Sequence, residues 1–399
     1  MFLTKNFLKG FVIHLKLQHL EGTYPLILEN NISSVPNVAP CSSRKMKWQQ
    51  LKLMISLVFA VLLWSQVANV GETERLVTTL ESTMNISAIS VFIIMKAIYL
   101  KRNGLVVELV NSLLQYEKER PPELNVRRLL WAEKFIILYF QFCGHTACPL
   151  IIGAYSIQRW LNPCTSATFL WNILPECSDN APGEKWGLNS LTNLALIIIF
   201  SAWLLADLMG GFTFQVVEVV FLQSACLVSY MKDFRNMLQD SRLRFAEKLF
   251  HYKELQILAN LYNTIQKDGV IGTLFGLIVT LITICLYTLI YVGSDMSIPH
   301  LLFFTGAFMN ALATNFICFG KFASLHTHSE SVLEFVKRKP YAHLYFMKGK
   351  NGKKLTQRIV ASLYPLKVYI GEVNFVEKLT PVILLEFCVG QVVSLLLIR

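Results

Sequence analysis

Seven stretches of the chain, 17 to 25 residues long, are almost free of charge: 53–70, 84–100, 135–157, 188–208, 269–293, 298–320 and 379–398. A helix of about 20 apolar residues crosses the hydrocarbon core of a bilayer, so this pattern specifies an all-α polytopic membrane protein with seven spans. The totals agree, with 54% hydrophobic and 16% charged residues and a mean hydropathy of +0.46. The formal charge of +11 points away from nucleic acid, because the cations sit between the apolar spans rather than in one patch.

Those cations fix an expected orientation. If the spans alternate, residues 1–52, 96–134, 232–268 and 321–378 share one side and hold 33 of the 37 Lys and Arg. The other side keeps Arg75, Arg159, Lys185 and Arg399. By the positive-inside rule the amino terminus is expected in the cytoplasm and the carboxyl terminus outside. This inverts the arrangement of a G-protein-coupled receptor; no Asp-Arg-Tyr follows the third span and no Asn-Pro-x-x-Tyr lies in the seventh. The outer loops hold seven acids, Glu72, Glu74, Glu81, Glu176, Asp179, Glu184 and Asp295, against four bases, a mildly negative mouth that favours cations. Met1 to Tyr24 lacks the compact apolar core of a cleavable signal peptide, so the first span is expected to direct its own insertion.

Within the membrane, the seventh span stands apart. Leu379 to Ile398 carries Glu386, Gln391 and Ser394, and at about 100° per residue Gly390, Ser394 and Gln391 fall roughly 40°, 80° and 140° from Glu386. Such an arc faces either a water path or a partner helix, and Glu386 is either a pore residue or a carboxylate paired or protonated inside the bundle. Elsewhere, Lys96 reads as a snorkelling end of the second span. Asp207 reads as one of several interruptions in a long apolar run, with the fourth span continuing as a helix from Val216 to Tyr262. Pro149 is expected to bend the third span.

The remaining polar and aromatic residues of the outer halves suggest a cavity for small amphipathic molecules: Asn85, His145, Tyr155, Asn193, Trp203, Tyr287, Tyr291, His300, Phe304 and Asn310. Each of these is individually more often packing than contact. No cofactor or metal is expected, since His145 has no acidic or His partner at useful spacing and His326 and His328 form an isolated pair. Five of the nine cysteines, Cys143, Cys148, Cys285, Cys318 and Cys388, lie in apolar spans as small core residues. Cys164 and Cys177 share the longest outer loop, where a disulfide is chemically permitted. Asn85-Ile86-Ser87 is a glycosylation triplet on the outer side but close to the membrane. No set of catalytic residues converges on one side, which disfavours an enzyme.

Inverted topology, a long basic linker between spans four and five and a short tail after the last span together resemble the insect gustatory receptors. So do KAIYLKRNGLVVELVNSLLQYEKE after the second span and LYPLKVYIGEVNF before the seventh. The family signature TYhhhhhQF, with h apolar, is not carried cleanly: one register sets Leu379-Thr380 and Glu386-Phe387 on its ends, the other Gly390-Gln391 and Leu397-Ile398. The resemblance implies a multi-pass plasma-membrane channel for cations, gated by a small-molecule tastant, bitter or otherwise aversive. It implies a homo- or heterotetramer held together by cytoplasmic helical extensions, here 209–268 and 321–378, with lipid around it. The last helices would line the pore through Glu386, Gly390, Gln391, Ser394, Leu397 and Ile398. A subunit that conducts only with a partner, and a transporter, are the alternatives.

Overall fold

A computed structural model describes residues 26–29, 37–40, 42–68, 76–119, 188–213, 223–239, 245–267, 269–294, 298–338, 360–372 and 374–398, with a few isolated positions. The body of the third span, with His145 and Tyr155, lies outside them, as do Cys164 and Cys177. Nine helices are present among the described residues: α1 (Ser43–Ala68), α2 (Leu76–Lys101), α3 (Asn103–Glu119), α4 (Leu188–Thr213), α5 (Gln223–Gln239), α6 (Phe245–Gln266), α7 (Val270–Tyr291), α8 (Ile298–Arg338) and α9 (Thr380–Leu397). Five of them, α1, α2, α7, α8 and α9, are long and apolar enough to cross a membrane, and α4 contains a shorter apolar run, Leu191–Leu204. Two short antiparallel ribbons complete the described elements: β1 (Leu26–Glu29) with β2 (Asn37–Pro40), and β3 (Tyr369–Ile370) with β4 (Asn374–Phe375).

Helix α1 begins ten residues before the apolar stretch at Leu53, because the basic flank from Ser43 contains no helix breaker and continues the same helix. Phe59 and Ala60 of α1 pack on Ile89, Phe92 and Ile93 of α2, Leu204 of α4 and Leu277 of α7. A larger core gathers the carboxyl-terminal end of α2 (Met95, Tyr99), α3 (Val106, Leu109, Val110, Leu113), α5, α6, α7, α8 and the strand-bearing segment before α9. Gly269, at φ 106°, supplies the left-handed residue that turns α6 directly into α7, a conformation a side chain would strain.

One expectation fails in the linker between the fourth and fifth spans. A single continuous helix from Val216 to Tyr262 is replaced by two helices, α5 and α6, that fold back on the core. The reason is apolar surface: α5 buries Cys226, Leu227, Val228, Tyr230, Met231, Phe234 and Met237, too wide a face for a free projection in water. Helix α8, by contrast, runs from its apolar span into its extension as one uninterrupted 41-residue helix.

Candidate functional site

The last helix is attached by one stripe. In α9, Pro381, Leu384, Cys388 and Val392 are buried, at the i, i+3, i+7, i+11 spacing of a single face. Cys388 Sγ lies 3.8 Å from the Val279 carbonyl oxygen of α7, and Asn315 Nδ2 of α8 donates to the Pro381 carbonyl at 3.0 Å. At about 100° per residue, Glu386, Gly390 and Leu397 stand roughly 155°, 165° and 175° from the centre of that stripe. Glu386, Gly390, Gln391, Ser394, Leu397 and Ile398 are all exposed on the protomer. Gln391 lies toward the flank of the packed face, and Ser394 Oγ donates back to the Gly390 carbonyl at 2.9 Å. Glu386 therefore has no place inside the protomer's own bundle.

The entry to α9 is held rigidly from below. Asn263 of α6 donates from Nδ2 to the Lys367 carbonyl at 2.7 Å and accepts the Tyr369 N–H on Oδ1 at 3.1 Å. Tyr252 Oη and Gln256 Nε2 both donate to the Tyr364 carbonyl, at 2.9 and 3.1 Å. Burial, with Tyr364 adding to it, pushes the Tyr252 phenol up, so it stays a donor across the physiological range. From α8, Ser329 Oγ accepts the Leu366 N–H at 2.9 Å. The β3–β4 turn passes through Gly371 at φ 67°, and Phe375 is covered by the Lys367 ammonium, 3.7 Å from its ring centroid, and by the His326 ring. His328 donates from Nδ1 to the Ser324 carbonyl at 2.7 Å. Pro381, in the first turn of α9, carries no N–H to leave unpaired there.

At the opposite end of the bundle, the proposed pocket residues separate into groups. His300 Nε2 lies 3.8 Å from Glu81 Oε2, and below them Met84 of α2, Cys285 of α7 and Phe304 of α8 form a closed apolar cluster. Phe304 is fully buried there, packed rather than lining a space. Asn85 is half-buried one residue beyond Met84, and Tyr287 stacks on Tyr291 at a 5.5 Å centroid distance. Asn193 and Asn310 are exposed. Trp203 stands elsewhere, its ring 5.3 Å from the Lys52 ammonium. Among the described residues no group of three or more His, Cys, Asp or Glu is placed to hold a metal ion.

Two solved structures share this arrangement over 98% of this chain and 98% of theirs. They are the insect olfactory receptor OR5 from Machilis hrabei, at a TM-score of 0.62, and the same receptor in complex with eugenol, at 0.58, each with 12% identity. The fold is that of an insect olfactory receptor. No family model and no characterised protein matches the sequence itself, so what is shared is the olfactory-receptor fold.

In this olfactory-receptor fold, the polar centre that the sequence reading missed lies where α1, α2 and α4 meet. Lys52 Nζ is 2.9 Å from Asp207 Oδ1, and Lys96 Nζ bonds Asp207 Oδ2; no member exposes more than 4% of its side chain. Lys96 thus does not snorkel, and Asp207 does not interrupt its span: the carboxylate is the shared counter-ion of two lysines. Part of the signal was present, because Lys96 and Asp207, a base and an acid in otherwise apolar segments, call for each other, whereas Lys52 lay in the basic flank.

Proposed function

We propose that the protein is a subunit of a chemoreceptor channel of gustatory type, opened by a small-molecule tastant, bitter or otherwise aversive, to pass cations across the plasma membrane. The carrying observation is the position of Glu386. A carboxylate on the face of an apolar helix turned away from its own bundle is costly against lipid, and four copies around an axis would give it water. Leu397 and Ile398, 78% and 84% exposed, would be covered by the same assembly. The olfactory-receptor fold supports the reading, since those receptors belong to the same superfamily as the gustatory receptors. With 33 of 37 basic residues on one side, the amino terminus lies in the cytoplasm, and α5, α6 and the extension of α8 form an inner anchor region between subunits.

The test is whole-cell recording from cells expressing the chain during application of a tastant panel. Tastant-evoked cation currents are expected, with a reduced preference for cations over anions in Glu386→Gln. Currents whose ion preference is identical in wild type and E386Q would remove Glu386 from the pore. A second reading, a subunit that conducts only beside a partner, is favoured by the absence of a clean TYhhhhhQF in the last helix. Silence when expressed alone and current on co-expression with a second receptor of this fold would select it.

A further inference from the structure

The amino-terminal end of α1 carries a cavity of about 650 Å³ lined by Ser42, Arg44, Lys45, Lys47, Trp48 and Leu51. Three cations in four residues line it, and Trp48 and Leu51, which line it too, are 50% and 48% exposed. The same helix face continues into the membrane: at about 100° per residue Arg44, Lys47, Trp48, Leu51, Met54, Val58 and Leu62 lie within one arc roughly 120° wide. Met54, Val58 and Leu62 are all exposed. The opposite side of α1 does the packing, through Gln49, Lys52, Ser56 and Phe59.

We infer that this face of α1 binds an anionic phospholipid of the cytoplasmic leaflet, its phosphorylated head group in the Arg44–Lys45–Lys47 cavity and its acyl chains along Leu51, Met54, Val58 and Leu62. Charge complementarity selects the occupant. Guanidinium and ammonium groups side by side suit a head group with phosphate oxygens beyond the bridging phosphodiester, with Arg44 able to engage two oxygens at once. Trp48 sits at the junction, where an indole prefers the interfacial layer. A zwitterionic lipid offers the same chains but brings no net negative charge to Arg44 and Lys47, and a soluble inositol phosphate offers the charge but nothing for the apolar strip. The role differs from that of the positive-inside flank in general, because Arg44 and Lys47 lead into an exposed apolar track on their own helix.

The experiment uses the full chain in phosphatidylcholine nanodiscs doped with phosphatidylinositol bisphosphate, with co-purifying lipid counted by mass spectrometry. Wild type is expected to enrich the doped lipid over the surrounding bilayer. Arg44→Gln with Lys47→Gln is expected to lower that enrichment by about 30-fold, from the loss of two charges that contact the head group itself. Trp48→Ala is expected to weaken it without altering net charge. The control K101Q/K267Q removes two exposed cations assigned to the same side and should leave enrichment unchanged. Equal enrichment in R44Q/K47Q and wild type overturns the inference, as does an equal loss in K101Q/K267Q, which would reduce the effect to surface charge. Binding of free inositol trisphosphate as tight as that of the lipid would likewise overturn it, by showing that the apolar track plays no part.

Discussion

A carboxylate shared by two ammonium groups matters more to the cluster than either ammonium. At the junction of α1, α2 and α4, removing Asp207 leaves Lys52 and Lys96 buried side by side with that counter-ion gone, whereas removing Lys96 leaves the Lys52–Asp207 pair intact at 2.9 Å. Truncating one side of a buried pair costs about 3–5 kcal/mol. Asp207→Ala is therefore expected to lower the thermal unfolding midpoint in detergent far more than Lys96→Met, and equal losses would mean that the carboxylate is not the hub. On the extension of α8, burial, opposed by the hydrogen bond to Ser324 and reinforced by Lys232, Arg235 and Lys321, holds the His328 imidazole below its ordinary 6.5. As pH falls the unfolded chain takes up this proton first, so the contribution of the neutral ring is complete above about 6.5 and is lost below it. The unfolding midpoint should drop on acidification from about pH 7.5 to about 5.5, less steeply in His328→Gln; parallel curves would remove His328 from the effect.

Among the elements, the segment 363–376 is the mechanical link before α9, with side chains of α6 and α8 bonded to its backbone. Asn263→Ala leaves the Lys367 carbonyl and the Tyr369 N–H without that partner, at about 1–3 kcal/mol. Hydrogen exchange should quicken in 363–376 and the first turn of α9 while α1 and α2 stay protected; uniform quickening would show a global loss instead. At Gly371 an added methyl meets nothing within 4 Å, so Gly371→Ala carries only the cost of a left-handed side chain, about 1 kcal/mol. Such links are hard to read in a sequence. The apolar cores of α7, α8 and α9 were plain because hydropathy marks them directly, whereas LYPLKVYIGEVNF has no periodicity and takes its form from Asn263, Tyr252 and Gln256, more than a hundred residues away, and from Ser329 of α8. The same limit applied to α5 and α6, where helical periodicity was visible but the packing of two separate helices in one core was not. Lys96 and Asp207 were each noticed, yet only the fold brings their spans together.

At the scale of the whole molecule, one asymmetry organises the account. The protomer satisfies its buried stripe on α9 with α7 and α8 and leaves Glu386, Gly390 and Leu397 pointing outward from the bundle. The cluster of Met84, Cys285 and Phe304 reaches this helix through α7, which packs on both α2 and α9. The face is open to a direct chemical question, because a side chain at Gly390 meets nothing within 4 Å and the substituted protein should fold. The decisive measurement is modification of Gly390→Cys, Leu397→Cys and Val392→Cys by a charged methanethiosulfonate in membranes open to both sides, read by mass spectrometry of α9. The channel account predicts reaction at 390 and 397 and none at 392. Unreactive thiols at both 390 and 397 would place that face in lipid and contradict it.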